Sequence, residues 1–254
     1  MNLSTEDISL FSETVRSLSN YDFSQYSVKS FSRRIEKVLS DNKMDMPALV
    51  AKIRKNQDFL EKTIRDITVN TTELFRDPPV WHVIRYQILQ VLKDYPAINI
   101  WHAGASTGQE VYSMLILLNE MNLLEKGKII ATDINEKVLR DCLTGEYKYR
   151  FNIDYLDNFN KVIRENPLNF EEYRDIPYDK YFDIDEAKDI IKVKPFLLGR
   201  FKTYKHDLVK NGNDAFGMQF HLILCRNVLI YFNSDLQNKV IELFYNSLKD
   251  GGYL

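Results

Sequence analysis

The feature that most constrains this chain is the succession of strand, small-residue loop and helix between Ile98 and Ser113. Ile98–His102 is a short apolar run, Ala103–Gly108 is a loop of small residues, and an apolar pattern with helical spacing follows. An α/β sheet presents a nucleotide-like ligand on such a loop, because small side chains let the ligand approach the backbone and the first N–H groups of the helix face it. We therefore predict an α/β fold with a ligand site at the carboxyl end of this strand.

The glycines of the loop narrow the choice of ligand. Gly104 and Gly108 flank Ser106, and no third glycine follows at the spacing of a dinucleotide-binding fingerprint. This spacing argues against a cradle for a pyrophosphate and favours a ligand without phosphates.

A second buried strand, Lys128–Ile134, has the acid Asp133 near its end. An acid at this point of a Rossmann-like sheet can hold a ribose, since each carboxylate oxygen accepts one hydroxyl. Alternatively, Asp133 caps the helix that begins near Glu136, because Asp is a favourable N-cap residue. A nucleoside site without a pyrophosphate cradle indicates S-adenosylmethionine as the ligand.

Four segments of the sequence resemble the CheR family of chemoreceptor methyltransferases, in content and in order. They are Asn70–Arg76, Ala103–Glu110, Ala131–Ile134 and Cys225–Phe232, of which the last is the most specific. The resemblance covers nearly the whole chain. It implies a protein-glutamate O-methyltransferase that uses S-adenosyl-L-methionine to form methyl esters on glutamates of methyl-accepting chemotaxis receptors, with S-adenosyl-L-homocysteine as product.

The expected fold is α/β: a Rossmann-like class I S-adenosylmethionine-dependent methyltransferase domain with an N-terminal all-helical subdomain and a small inserted α+β subdomain. We place the helical subdomain at residues 1–75 and the methyltransferase domain at 76–254. Within the latter, residues 146–200 are too long for a loop of a compact sheet, and we interpret them as the insert.

Apolar periodicity and capping signals predict the individual elements. The helical subdomain is predicted to hold a helix capped by Ser4 and helices at Val28–Leu39, Met46–Lys55 and Asp58–Ile67. The larger domain is predicted to hold helices at 80–96, 136–145 and 235–248, a hairpin of the runs Lys180–Ile184 and Asp189–Pro195, and strands at Phe201–Asp207 and Phe220–Asn227. Pro78 and Pro79 are expected to stop regular structure and to pin a loop.

The last residues, Asp250–Leu254, predict a Gly-Gly turn. In the resembling family a final antiparallel hairpin follows such a turn, so the C-terminal strands are expected to be missing. Because an unpaired hydrophobic edge is a liability, we expect a weakly stable protein, a dimer or an incomplete chain. The oligomeric state stays open.

Composition excludes several classes of function. The net charge of −2 gives no global cationic field for nucleic acid. No stretch approaches the roughly 18 apolar residues of a membrane span, and the polar N-terminus is unlike a signal peptide. With four His and two Cys, none at ligand spacing, we expect no metal site, and the two thiols fit a cytoplasmic protein.

The resemblance implies a set of cofactor-binding residues, with Arg76 at the methionine carboxylate and Asp207–Leu208 beside the adenine. On composition alone, the segment around Arg76 is interpreted as a linker. The alternative interpretation of Asp207 is a solvent-exposed strand end. The full set is Asn70, Thr72, Arg76, Gly104, Ser106, Gly108, Glu110, Asp133, Asp207, Leu208, Asn227 and Val228.

The expected reaction needs no general base, because the sulfonium methyl is already activated and a glutamate carboxylate is ionised at neutral pH. The enzyme must supply approach geometry and desolvation of the nucleophile. Tyr231, at the end of the central strand, is the candidate catalytic residue and would position the acceptor carboxylate. Alternatively, Tyr231 is a core aromatic with its hydroxyl satisfied.

The second predicted helix carries four cations, Lys29, Arg33, Arg34 and Lys37, opposite an apolar stripe. Such a face is ordinarily a solvated surface. The resemblance supplies an acidic partner, since it implies docking to the cytoplasmic helical domain of a chemoreceptor, which bears glutamates. Complementary charge would then steer docking and fix its register.

Three other functions compete with this interpretation. A non-catalytic sensor would bind S-adenosylmethionine or S-adenosylhomocysteine without a methyl acceptor, and a CheR-like enzyme of different specificity would methylate a protein other than a chemoreceptor. An NAD-dependent oxidoreductase would use the same sheet, but the missing third glycine counts against it.

Overall fold

The computed structural model describes residues 3–68, 72–212 and 216–254. The chain divides into two compact units, which we describe separately. The first unit consists of Met1–Asn70 and Asn227–Glu242, and the second of Thr71–Arg226 and Leu243–Leu254. The boundaries 1–75 and 76–254 of the sequence analysis stay a prediction.

Helices build the first unit, as the sequence predicts. Capping side chains set the starts of three of these helices: Ser4 and Asp7 form a reciprocal capping box, while Asp45 and Asn56 accept backbone N–H groups of the helices that they precede. The second helix extends beyond its predicted end at Leu39. The helices are α1 Thr5–Leu18, α2 Val28–Asn42, α3 Met46–Lys55 and α4 Gln57–Ile67.

A parallel sheet of five strands organises the second unit, in the order β6-β2-β1-β7-β8. Every strand pair in it is parallel, so the carboxyl ends of the strands lie at one edge. This confirms the α/β prediction and its Rossmann-like sheet. The strands are β1 Ile98–Ala103, β2 Gly127–Asp133, β6 Phe201–Lys205, β7 Phe220–Leu224 and β8 Leu248–Tyr253.

A second, antiparallel sheet, in the order β3-β5-β4, lies between β2 and β6 in the chain. Its strands are β3 Glu146–Tyr147, β4 Phe182–Asp185 and β5 Ile190–Val193. The predicted hairpin is confirmed, and β3 adds a third strand. Short helices precede the hairpin, as predicted for the insert.

The remaining helices are mostly short. They are α5 Pro78–Val83, α6 Leu89–Leu92, α7 Gln109–Glu120, α8 Glu136–Thr144, α9 Tyr149–Asn152, α10 Leu156–Phe159 and α11 Ser234–Ser247. Single π-helical turns span Ile84–Ile88 and Asn160–Arg164. Short 3₁₀ turns span Leu124–Lys126, Ile153–Tyr155, Tyr178–Lys180, Pro195–Leu197 and Leu229–Tyr231.

Two predictions about chain breaks are wrong. Pro78 and Pro79 begin α5 rather than ending regular structure, because proline is well tolerated in the first turn of a helix, where its missing N–H costs nothing. Gly251 and Gly252 lie within β8 rather than in a turn after the last helix, and β8 pairs with β7 across a shift of register.

Across the described ranges, none of the helices combines the length and the apolar run that crossing a membrane requires.

Gly108, at the start of α7, is fixed by two independent constraints. Its φ is +93°, and a Cβ at this position would lie 2.3 Å from the Cys142 sulfur of α8. Gly199 has a similar φ of +74°, but nothing lies within 4 Å of the Cβ position there. Alanine variants at these two glycines therefore separate two effects on the free energy of unfolding: that of the left-handed backbone conformation and that of a steric clash.

We expect Gly199→Ala to lower the free energy of unfolding by about 1–2 kcal/mol, which is the cost of a left-handed residue with a side chain. Gly108→Ala should cost a further 1–3 kcal/mol or so, because the added methyl overpacks the contact with Cys142. Urea unfolding of both variants tests this difference. Equal losses would show that the contact between α7 and α8 relaxes freely.

Candidate functional site

The loop after β1 is held in an unusual backbone conformation by the end of β2. Gly104, Ser106 and Gly108 all have positive φ, of 83°, 51° and 93°. The N–H groups of Gly104 and Ala105 both donate to the Thr132 carbonyl at 2.8 Å. The loop is therefore fixed at the carboxyl edge of the sheet, with Ser106 in a conformation that few non-glycine residues adopt.

Asp133 joins the loops that follow β1 and β2. Its Oδ2 accepts the Ser106 N–H at 3.0 Å, and its Oδ1 accepts the Asn135 N–H at 2.9 Å. Asn135, not Asp133, caps α8, since its side chain accepts the Lys137 N–H at 3.0 Å. The alternative role of Asp133 as the N-cap is therefore wrong.

The Asp133 carboxylate keeps acceptor capacity for a ligand hydroxyl. Its two oxygens offer about four acceptor sites, and three backbone N–H groups donate to them, those of Ser106, Asn135 and Ile134. Desolvation raises the pKa of this carboxyl above the usual range, and the backbone hydrogen bonds from Asn135, Ser106 and Ile134 oppose that shift.

Glu110, in the first turn of α7, is held by partners on both oxygens. Its Oε1 lies 2.8 Å from Nδ1 of His102, a buried residue of β1, and its Oε2 lies 3.4 Å from Nη1 of Arg226. The Glu110 side chain is 16% exposed, so the protein does not enclose it completely. A fixed, partly exposed carboxylate is suited to an ammonium group.

Arg226 also holds the backbone beside Arg76. Its Nη2 donates to the Arg76 carbonyl at 2.8 Å and to Oδ2 of Asp77 at 2.6 Å. The same carbonyl accepts Nε1–H of Trp81 at 3.0 Å. Arg76 is half-buried, and no hydrogen bond of its guanidinium is found within the described ranges.

The residues on either side of Arg76 carry backbone strain. Phe75 and Asp77 have φ values of 49° and 55°, in the left-handed region that side chains disfavour. Phe75 is fully buried, and its N–H donates to Oγ of Ser113 at 2.8 Å. Strained residues persist where their surroundings hold them, which is common at ligand sites.

Other predicted cofactor residues are distributed over both units. Thr72 is half-buried, and Asn70 lies outside the described residues. Asp207 and Leu208 follow β6 directly after His206, whose N–H donates to the Asp133 carbonyl at 3.0 Å. Asn227 and Val228 belong to the first unit, where Asn227 has a φ of 60°.

Tyr231 also belongs to the first unit, and it is not a buried core residue. Its side chain is half-buried, and the Arg34 guanidinium lies 4.7 Å from the centre of its ring. This distance is that of a cation–π contact. The catalytic role of Tyr231 stays a prediction.

The four cations of α2 differ in their exposure to solvent. Lys29, Arg33 and Lys37 are exposed and follow one another at helical spacing of four, whereas Arg34 is half-buried against Tyr231. Lys37 Nζ lies 2.6 Å from Oδ2 of Asp41. Arg34 makes an aromatic contact, and the docking role of all four cations stays a prediction.

Two residues without a predicted role, His102 and Arg226, contact the candidate cofactor residues. Arg226 lies in the segment that carries the resemblance and is within reach of sequence reasoning. For His102 the sequence predicts only a place in a buried strand. An irregular loop separates His102 from Glu110 in the chain. No local pattern predicts that the two side chains meet.

Comparison with known protein families agrees with this geometry, which is that of a methyltransferase binding S-adenosylmethionine. The family model described as CheR methyltransferase, SAM binding domain, matches residues 70–161 and 166–254. The model described as CheR methyltransferase, all-alpha domain, matches residues 6–68. The chain therefore belongs to the CheR methyltransferase family, and its resemblance to that family is confirmed.

Individual relatives agree. Over 249 residues the chain is 32% identical to Cher3 of Pseudomonas putida, a methyltransferase by name, covering 98% of this chain and 86% of that protein. It is 27% identical to the chemotaxis protein methyltransferase of Listeria innocua, covering 98% and 87%. Among solved structures, the chain is similar to the glycopeptide N-methyltransferase MtfA complexed with sinefungin, with a TM-score of 0.37 and 10% identity. The alignment covers 72% of this chain and 49% of that chain.

With Asp133 as the proposed ribose acceptor, we expect Asp133→Ala to weaken binding of S-adenosylhomocysteine by about 1–3 kcal/mol, since two ribose hydroxyls lose their acceptor. In the parent protein, affinity should fall as the pH is lowered from neutrality. Because the pKa of Asp133 is raised, its protonation begins at a higher pH than that of an exposed aspartate, and the protonated carboxyl loses an acceptor site.

Calorimetric titration across this pH range tests both statements, and Asp133→Asn is the matched control because it cannot titrate. The loss of affinity on acidification should be smaller in that variant. An unchanged affinity in Asp133→Ala, or an identical pH profile in Asp133→Asn, would contradict the role of this carboxylate.

Proposed function

We propose that this protein transfers the methyl group of S-adenosylmethionine to glutamate side chains of methyl-accepting chemotaxis receptors, forming glutamate methyl esters. The observation that carries the proposal lies within the first unit. There, α2 presents three exposed cations, and its fourth cation, Arg34, contacts the ring of Tyr231. The name of the Listeria relative, a chemotaxis protein methyltransferase, supports the same substrate class.

Three charged groups of the second unit match the polar groups of the cofactor. Asp133 would accept hydrogen bonds from the ribose hydroxyls. The half-buried Arg76 would pair with the methionine carboxylate through two parallel N–H donors of its planar guanidinium. Glu110 would meet the methionine ammonium, because it offers a carboxylate that is fixed and partly exposed. Gly104, Ser106 and Gly108 would leave the backbone accessible to the nucleoside.

The chemistry follows from the substrates. One carboxylate oxygen of the acceptor glutamate attacks the sulfonium methyl, the carbon–sulfur bond breaks, and its electron pair stays on sulfur. The glutamate is ionised at neutral pH, so no base has to remove a proton. The protein's contribution is alignment of the two groups and removal of water from the carboxylate.

Tyr231 is our candidate for positioning the acceptor carboxylate. A phenol hydroxyl donates a hydrogen bond to a carboxylate, and the Arg34 guanidinium over its ring adds positive charge nearby. Arg34 would therefore connect the docking helix with the residue that orients the acceptor.

The proposed partner is the cytoplasmic helical domain of a chemoreceptor, and the proposed location is the cytoplasm. Lys29, Arg33 and Lys37 are spaced to follow one face of α2, which suits an acidic helix lying along it. Complementary charges of this kind raise the rate of encounter and fix the register.

The direct test is incubation of the protein with radiolabelled S-adenosylmethionine and membranes that contain the organism's chemoreceptors. Glutamate methyl esters release the label as volatile methanol in base, and this release is expected from the receptor band. Tight S-adenosylhomocysteine binding without any base-labile label would favour a sensor, and label on another protein would point to a different substrate.

We expect the double reversal Lys29→Glu with Arg33→Glu to lower receptor methylation about tenfold at low salt. The deficit should shrink as salt rises, because attraction between exposed charges is screened beyond about 8 Å at physiological ionic strength. Initial rates at several salt concentrations provide the measurement. Arg34 is left in place, so its contact with Tyr231 stays intact.

The matched control is Arg54→Glu with Lys55→Glu, which changes the charge equally on exposed positions of α3. This control should methylate nearly as the parent does. If both double variants lose the same activity, only net charge matters and α2 is not the docking surface.

For the cofactor, we expect Arg76→Lys to weaken S-adenosylhomocysteine binding about tenfold, because lysine cannot form the two parallel hydrogen bonds of a guanidinium. Binding of methylthioadenosine, which lacks the amino-acid portion, should be unaffected. Calorimetry on both ligands provides the comparison, with circular dichroism to check the fold. If Arg76→Lys weakened the binding of both ligands equally, Arg76 would not be the partner of the methionine carboxylate.

A further inference from the structure

His102 is a buried polar residue whose side chain has one partner among the described residues. It lies on β1, is fully excluded from solvent, and its Nδ1 is 2.8 Å from Oε1 of Glu110. The other ring nitrogen, Nε2, is buried and has no hydrogen-bond partner among the described residues. Only one of the two nitrogens of this ring is therefore engaged.

This arrangement determines the tautomer of His102. An ionised carboxylate only accepts hydrogen bonds, so the proton has to be on Nδ1. A second proton on Nε2 would leave a buried N–H without an acceptor, which costs more than a buried nitrogen lone pair. His102 therefore donates a hydrogen bond from Nδ1 to the Glu110 carboxylate.

Two donors hold Glu110 from different elements. His102 holds Oε1 from β1, while Arg226, which follows β7, holds Oε2 at the longer distance of 3.4 Å. Arg226 itself is committed to Asp77 and to the Arg76 carbonyl. Without His102, the Glu110 carboxylate would be free to rotate toward Arg226 and form a closer ion pair with it.

We propose that His102 is a positioning residue that keeps the Glu110 carboxylate oriented toward the ammonium group of the cofactor. The proposal rests on the contact of Glu110 with that ammonium, as argued for the proposed function. Rotation toward Arg226 would satisfy Glu110 within the protein and withdraw it from the ligand. His102 thus acts on cofactor affinity through Glu110, without touching the cofactor.

The test compares S-adenosylhomocysteine with methylthioadenosine, which has the nucleoside but no ammonium or carboxylate. We expect His102→Leu to weaken S-adenosylhomocysteine binding about tenfold or more and to leave methylthioadenosine binding unchanged. His102→Asn should restore most of the affinity, because the asparagine amide can donate from about the position of Nδ1.

His221→Leu is the matched control. His221 is a buried histidine of β7 in the same sheet, its Nδ1 accepts the Asn99 N–H at 2.9 Å, and its Nε2 likewise has no partner among the described residues. Its loss should leave the ratio of the two affinities as in the parent. A changed ratio in this control would overturn the proposal, since any buried histidine would then have the same effect.

A double-mutant cycle shows whether His102 acts through Glu110. In a Glu110→Gln background, adding His102→Leu should cause little further loss of S-adenosylhomocysteine affinity. Additive losses would overturn the proposal, and so would equal losses for both ligands in His102→Leu. These binding measurements need no receptor, so a failure of receptor methylation would count against the proposed substrate and not against His102.

Discussion

The geometry of the cofactor edge depends on hydrogen bonds between the end of β2 and the loop that follows β1. The Thr132 carbonyl accepts two N–H groups of that loop, and the Asp133 carboxylate accepts a third. These bonds satisfy donors that have no partner within a helix or strand. They also hold Ser106 at positive φ, a conformation that costs a residue with a side chain about 1–2 kcal/mol. The loop is therefore ordered before a ligand binds, which reduces the entropy lost on binding.

A chain of contacting charged and polar side chains extends this order to neighbouring elements. Asp77, Arg226, Glu110 and His102 contact one another in that sequence, and they come from the segment before α5, the end of β7, the start of α7 and β1. Such chains are weak evidence for stability, because removing charges from water costs about as much as pairing them returns. Their effect is geometric: Glu110 contacts both His102 and Arg226, and Arg226 contacts both Glu110 and Asp77, so few orientations of these two side chains remain.

The sequence predicts the features that local patterns determine. Helical periodicity and capping residues predict α1 to α4, and the hairpin β4–β5 follows from its short β-like runs. Local patterns are ambiguous at Pro78, because proline both ends a helix and occupies the first turn of the next one. They are also ambiguous at Gly251, since only the pairing with β7, distant in sequence, makes this segment a strand.

The same limit applies to the site: the loop glycines and Asp133 lie in recognisable segments, whereas the contact of His102 with Glu110 depends on the folded path of the loop.

Under the proposed function, the charge of the docking surface has a consequence for the order of events. Each methyl transfer converts a negatively charged glutamate into a neutral ester, so the partner helix loses one charge per turnover. Its attraction to Lys29, Arg33 and Lys37 then decreases with every modified site, because exposed charges interact roughly in proportion to their number within a screening length. The enzyme would bind unmodified receptor more strongly than modified receptor without any conformational change. Electrostatics would thereby assist release of the methylated product.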